Sequence, residues 1–129
     1  MHHSRLCALL IDCQTSSLDE AALFWAQALG RPVDPQHPGT RENYRMLETP
    51  PDEPLVQIQR VEHESRVHID IETDDIEAEV ARLKAAGFEL IGQAPRTGAG
   101  GHRVAFVHPR SAGGILVELS EHEHESGTR

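Results

Sequence analysis

One pattern of apolar and polar residues occurs twice along the chain. The segment from Leu10 to Leu18 aligns without a gap with the segment from His68 to Ile76, with isoleucine, aspartate and threonine at matching positions. In each copy a strand-like alternation leads into a run with apolar residues at every third or fourth position, which is typical of a helix. Further alternating runs follow. The pattern therefore predicts two tandem modules, each a strand, a helix and then more strands.

Both predicted helices have clear ends in the sequence. The first is predicted from Leu18 to Leu29 and the second from Ile76 to Ala86, and a glycine follows each. Ser17 and Asp75 precede them as candidate N-caps, because their side-chain oxygens can accept hydrogen bonds from the first backbone amides of a helix.

Seven stretches have the alternation that is typical of strands. They fall at 6–13, 42–48 and 55–61 in the first module, and at 66–72, 88–93, 102–108 and 114–120 in the second. The structure of 31–40 stays open at this point. We expect a single domain over 1–129, with module one at about 5–62 and module two at about 65–120.

Two segments are predicted to lie outside the regular elements. Residues 95–101 are rich in glycine and predict a loop, either a mobile flap or a plain hairpin. Residues 121–129 are charged and predict a frayed tail.

The predicted strands have one apolar face and one mixed face. The apolar face should pack beneath the helices, because successive side chains of a strand point to opposite sides. A semi-polar face can hold a ligand, or it can simply meet solvent as in many antiparallel sheets. The mixed face carries Leu10, Asp12, Gln57, Gln59, His68, Asp70, Leu116, Glu118 and Ser120.

Composition narrows the class of protein. With 12 basic and 21 acidic residues the formal net charge is −9, which opposes binding to nucleic acid or to anionic membranes. No apolar run approaches the ~20 residues of a membrane span and no signal peptide is visible, so we expect a cytoplasmic protein. Cys7 and Cys13 would lie about 20 Å apart on one strand, which excludes a disulfide between them.

Three stretches resemble the vicinal-oxygen-chelate superfamily, which includes glyoxalase I, methylmalonyl-CoA epimerase, extradiol dioxygenases and bleomycin-resistance proteins. They are 21–30, 67–77 and 103–119, and the last is most similar to the end of the epimerase. The resemblance implies an α+β fold of two tandem βαβββ modules that form an open eight-stranded cup (glyoxalase-like fold). It also implies a homodimer.

The resemblance further implies a set of metal ligands at Leu10, Gln57, His68 and Glu118. Leucine has no donor atom, so the set at His68, Glu118 and Gln57 is reduced, and we favour a metal-free cup over a site for Ni, Co, Zn, Mn or Fe. Asp12 could supply a substitute carboxylate from the same face, displaced by about 7 Å.

Proton transfer next to a carbonyl is the chemistry that the resemblance implies, with His68 and Glu118 as the catalytic residues. Arginines of the second module could bind a carboxylate or phosphate. The candidate ligand-binding residues are Gln57, Gln59, Asp70, Arg96, His102 and Arg103.

Three functions stay open on the sequence. The first is a lyase or isomerase that acts on a small oxygenated metabolite. The second is a non-catalytic small-molecule or antibiotic-binding protein of the bleomycin-resistance type, which the missing donor at Leu10 and the acidic charge both favour. The third is a structural or regulatory partner domain whose cup is filled by side chains.

Overall fold

The chain folds into two compact units. A computed structural model describes residues 1–35, 43–98 and 101–122, except for the side chain of Gln93. One unit comprises residues 8–68, and the other comprises residues 1–7 together with those from 69 onward. We call them the first and the second unit. The division falls close to the predicted module boundary, but residues 1–7 pack with the second module and not with the first.

The order of helices and strands follows the predicted pattern of two modules, which confirms the α+β class. The elements are β1 (Ser4–Cys13), α1 (Leu18–Leu29), β2 (Tyr44–Met46), β3 (Leu55–Arg60), β4 (Arg66–Thr73), α2 (Ile76–Ala85), β5 (Leu90–Thr97), β6 (Arg103–Val107) and β7 (Leu116–Glu121), with a short 3-10 turn at Pro109–Ser111. In the described residues these are seven strands, where eight were expected. An isolated antiparallel bridge joins Val33 to Leu47 in the part of the first module left open by the sequence.

In the first unit, β1 and β3 run parallel and α1 makes the crossover between them. β2 pairs antiparallel with β3. The core of the unit lies between α1 and one face of these strands, where Ala22 and Ala26 meet Ile11, Val56 and Ile58. Small residues on α1 allow it to lie close to the β-branched side chains.

In the second unit, β5, β6 and β7 form an antiparallel meander. Its core is built by Val80 and Leu83 of α2 against Ala105, Val107 and Leu119. The start of β1 adds to this unit, because the hydroxyl of Ser4 donates to the hydroxyl of Thr73 at 2.8 Å.

Both helices begin as predicted. The backbone N–H of Glu20 donates to Ser17 Oγ at 3.2 Å, and that of Ala78 donates to Asp75 Oδ1 at 3.1 Å. Helix α1 ends at Leu29 and is capped by Gly30, which has a φ of +67° that is unfavourable for a residue with a side chain. Helix α2 ends at Ala85, one residue earlier than predicted.

Two expectations about irregular segments were wrong in part. Strand β5 continues to Thr97, since Arg96 pairs with Val104 across the sheet after a break in register, so 95–97 are strand and not loop. The flap prediction also involves residues 99 and 100, which lie outside the described residues. Strand β7 includes Glu121, and the N–H of His122 donates to the carbonyl of Thr73, so these two residues are not frayed; the rest of the predicted tail lies outside the described residues.

Among the described residues, none of the helices is long and apolar enough to cross a membrane.

Candidate functional site

The strands of the first unit have a face turned away from α1, which we call its open face. On it Leu10 lies beside Gln57, and Asp12 lies beside Gln59, in the register of β1 and β3. The neighbouring residues of β1 and β3 on the other face, such as Ile11 and Ile58, pack beneath the helix. Alternation along each strand therefore places the polar residues together on the open face, as the sequence predicted.

A buried hydrogen bond joins Asp12 to His68 on this face. The imidazole Nδ1 lies 2.7 Å from Asp12 Oδ2, and the two residues are 2% and 9% exposed. This length is typical of a bond to an ionised carboxylate. A carboxylate only accepts, so Nδ1 carries the proton in the neutral ring and the lone pair lies on Nε2.

The second oxygen of Asp12 is buried at a cost. Oδ1 has no hydrogen-bond partner among the residues that the structure describes. A buried acceptor without a partner destabilises a fold by roughly 1–3 kcal/mol. The guanidinium of Arg66 offsets part of this cost, because its Nε lies 3.9 Å from Oδ2.

Burial, followed by the negative charge of Asp12, raises the pKa of the adjacent Cys13 thiol, so Cys13 stays protonated.

The metal ligands implied by the resemblance do not form a complete set here. Leu10 is 5% exposed and has no donor atom, so it contributes only apolar surface where a ligand is expected. The Nδ1 atom of His68 is bonded to Asp12 Oδ2. The side-chain chemistry of the first unit thus does not fit the four-ligand site.

Gln59 and Tyr44 form a second polar contact on the open face of the first unit. The amide Nε2 of Gln59 donates to the Tyr44 hydroxyl at 3.1 Å, across the antiparallel pair of β2 and β3. Gln57 lies two residues before Gln59, beside Met46 of β2. This part of the face offers amide and phenol groups to a ligand.

Glu118 belongs to the second unit, on the face of its strands turned away from α2. It lies beside Phe106 in the register of β6 and β7 and is half-buried. The guanidinium carbon of Arg96 lies 5.5 Å from the centre of the Phe106 ring, within the range of a cation–π contact. A carboxylate, an aromatic ring and an arginine are thus grouped on this face. Alternation along β4 places Asp70 on the same face, since Ile71 packs in the core.

Two other predicted ligand-binding residues have contacts of their own. Arg103 forms an ion pair with Glu77 of α2, on the helix side of the strands. This pair lowers the pKa of Glu77 and raises that of Arg103. His102 packs its ring against His122, with ring centres 4.3 Å apart. The ion pair with Glu77 directs Arg103 away from the face that carries Glu118.

An acidic cluster in the second unit has the chemistry of a metal site. Carboxylate oxygens of Asp75, Glu77 and Glu121 lie within 4.8 Å of one another. Each also has a partner in the protein: Asp75 caps α2, Glu77 pairs with Arg103, and Glu121 accepts from the backbone N–H of Ile76 at 2.9 Å. The helix N-terminus and the arginine therefore account for the cluster.

The sequence matches the profile of the glyoxalase-like domain over residues 8–115. The chain belongs to this family. The predicted resemblance to the superfamily and to its epimerases is thereby confirmed.

The relatives and solved structures most similar to the chain include epimerases. A segment of 54 residues is 46% identical to a mitochondrial methylmalonyl-CoA epimerase of Dictyostelium discoideum, and it spans 42% of this chain and only 32% of that protein. The methylmalonyl-CoA epimerase of Mycobacterium tuberculosis has a similar structure, with a TM-score of 0.63 and 22% identity over 93% of this chain and 88% of its own.

A second solved structure is a methylmalonyl-CoA epimerase in complex with methylmalonyl-CoA and NH4+. Its TM-score is 0.62 at 23% identity, over 98% of this chain and 97% of that one. These TM-scores show that the fold is shared. Because the identities are low, the activity has to be argued from the site.

Sequence reasoning missed one relationship. Asp12 was considered only as a substitute metal ligand, whereas the structure bonds it to His68. A signal was present, since both residues lie on the mixed face of strands that open the two modules. Residues 56 positions apart can meet only if these strands lie together, and alternation alone does not establish that.

Proposed function

We propose that the protein is an isomerase-type enzyme that moves a proton at the carbon next to the carbonyl of a small carboxylated thioester. One observation carries the proposal. His68 and Glu118 each lie on a strand face turned away from the helix of their own unit. Among the positions implied by the resemblance, these are the two whose side chains can carry a proton. The family and the epimerases of similar structure support this reaction class.

The reaction needs two proton carriers. One group takes the α-proton, so that the C–H bond breaks and its electron pair delocalises into an enolate. A second group returns a proton to the opposite face of that carbon, which inverts the centre. In the first unit, the imidazole Nε2 of His68 has the chemistry for such a step, and in the second unit the carboxylate of Glu118 does.

The negative charge of the enolate and of the substrate carboxylate needs a partner. Arg96 supplies a permanent positive charge on the face of Glu118, and Gln57 supplies an amide donor on the open face of the first unit. A metal ion would stabilise the enolate as a Lewis acid. Because Leu10 removes a ligand, we route no step through such an ion.

Exchange of the α-proton with solvent tests the proposal. Methylmalonyl-CoA would be incubated with the protein in D₂O, and deuterium uptake would be followed by NMR or mass spectrometry against an enzyme-free sample. The reaction would be run with a chelator and, separately, with added Co²⁺. Enzyme-dependent uptake supports the proposal. Uptake equal to the enzyme-free rate with this ester and with ethylmalonyl-CoA under both conditions would refute it.

A second candidate, binding without turnover, is favoured by Leu10, whose buried apolar side chain suits a ligand that is not chelated. Here the ester would raise the melting temperature of the protein without enzyme-dependent deuterium uptake. The same samples decide between the two functions.

A further inference from the structure

Asp12, the hydrogen-bond partner of His68 on the open face of the first unit, has no role in the proton transfer proposed above. Asp12 is 2% exposed, and its Oδ2 lies 2.7 Å from the Nδ1 of a ring that is itself buried. The alternation of β1 would allow any small residue at this position. The chain places there a charged group whose second oxygen lacks a partner among the described residues.

A buried carboxylate with an unpartnered oxygen destabilises the fold, and such local destabilisation is expected at functional sites. The bond does two things to the ring. It fixes the rotation of the imidazole about its χ torsions, and it selects the tautomer with hydrogen on Nδ1. The unshared pair then lies on Nε2, which is the atom that we assigned to proton transfer.

Arg66 does not substitute for this bond. Its Nε lies 3.9 Å from Asp12 Oδ2, beyond hydrogen-bond distance, and its side chain is 47% exposed. It lowers the electrostatic cost of the buried carboxylate and does not orient it. The neighbouring Cys13 thiol donates to the carbonyl of Ile11 and plays no part in the pair.

We propose that Asp12 is a positioning residue that holds His68 in the Nδ1–H tautomer, so that Nε2 is the ring nitrogen that carries the substrate proton. The catalytic part of this inference rests on the proposed function, whereas the tautomer does not.

The tautomer can be measured directly. Long-range ¹H–¹⁵N correlation spectra of protein labelled at histidine separate protonated from unprotonated ring nitrogens, and comparison with His68→Gln assigns the signals of His68 among the nine histidines. At a pH where the ring is neutral, we expect hydrogen on Nδ1 in the wild-type protein. In Asp12→Asn the amide can accept or donate, so the Nε2–H tautomer should become populated.

Two variants separate positioning from a merely structural role. Asp12→Glu keeps a carboxylate and should restore the Nδ1–H tautomer, whereas Arg66→Gln keeps the hydrogen bond and should leave the tautomer unchanged. In the exchange assay, Asp12→Asn should lower kcat about 100-fold or more with KM within a few-fold, and Asp12→Glu should recover part of kcat.

Hydrogen on Nε2 in the wild-type protein would overturn the inference, and so would an unchanged tautomer in folded Asp12→Asn. If Asp12→Asn does not fold, the wild-type and Asp12→Glu spectra still decide the point. A wild-type protein with the Nδ1–H tautomer and no exchange activity would refute the proposed function while supporting the pairing.

Discussion

Leu10 lies directly opposite Gln57 in the parallel pairing of β1 with β3. One of these two positions keeps a group that can bind a metal or a carbonyl oxygen, and the other does not. The pairing thus places an apolar side chain beside an amide, at a position where the resemblance implies a metal ligand.

Placing a donor at position 10 should increase metal affinity. In Leu10→His we expect the affinity for Co²⁺ or Ni²⁺ to rise on the order of tenfold or more, because a second imidazole joins Gln57 and His68. Isothermal titration of the variant against the wild-type protein measures this gain. The double variant Leu10→His/His68→Ala is the control, since any binding by other histidines is common to all three proteins. Equal affinities would contradict the interpretation of Leu10.

The carboxylate of Glu118 should matter for turnover and little for folding. Glu118→Gln should reduce the exchange rate by about 100-fold or more, as expected for the loss of a general acid–base group. Its melting temperature should stay close to that of the wild-type protein, since the amide has nearly the same shape. Glu89→Gln makes the same chemical change at an exposed carboxylate that pairs with Arg110, and should leave exchange unaltered. Similar activity in the two variants would remove Glu118 from the proposed site.

Stability should depend on Glu79 at acid pH. Burial by itself raises the pKa of this carboxyl, but the Ser4 hydroxyl, Arg82 and His2 outweigh burial and hold the pKa below its usual value. The stabilisation is therefore complete above the unfolded pKa of about 4.3, and it is lost as the pH falls through the folded value.

Urea unfolding of the wild-type protein and of Glu79→Gln at a series of pH values tests this. As the pH decreases below about 4.3, the free energy of unfolding should fall more steeply in the wild-type protein than in Glu79→Gln. Parallel curves for the two proteins would show that Glu79 does not contribute to the acid sensitivity.

The cap of α1 should contribute measurably to stability. Ser17→Ala removes the acceptor of the Glu20 N–H and should lower the free energy of unfolding by about 1 kcal/mol. Ser16→Ala, at the exposed neighbouring serine, should change it by less than about 0.5 kcal/mol. A loss of the same size in both variants would contradict the assignment of Ser17 as the cap.

The helices were predictable from the sequence because their signals are local. Ser17 and Asp75 mark the first turns. Gly30 directly follows α1 and Gly87 lies two residues after the end of α2, so the predicted and observed bounds agree within one residue. Strand β5 was predicted too short because proline and glycine near its end indicate a loop. The pairing of Arg96 with Val104, which continues the strand to Thr97 after a break in register, depends on residues farther along the chain.

The candidate site was predictable only in part, for the same reason. His68, Glu118 and Gln57 follow from a resemblance that fixes positions along the strands. The bond between Asp12 and His68 depends on the side-chain rotamers of two residues on different strands, and no pattern within either strand encodes it. The pairing of Arg103 with Glu77 was not predictable either. Alternation predicts the face of the strand on which Arg103 lies, but not which residue of another element it contacts there.

The start of β1 sets an order of events during synthesis. Ser4 finds its partner Thr73 only after 69 further residues have been made. At about 5–20 residues per second, several seconds pass before that partner leaves the ribosome. In the meantime the whole of residues 8–68 has been made and can fold. The first residues of β1 are therefore translated early and dock late. A pause in translation after His68 would lengthen the time during which their unpaired backbone groups can pair with other chains.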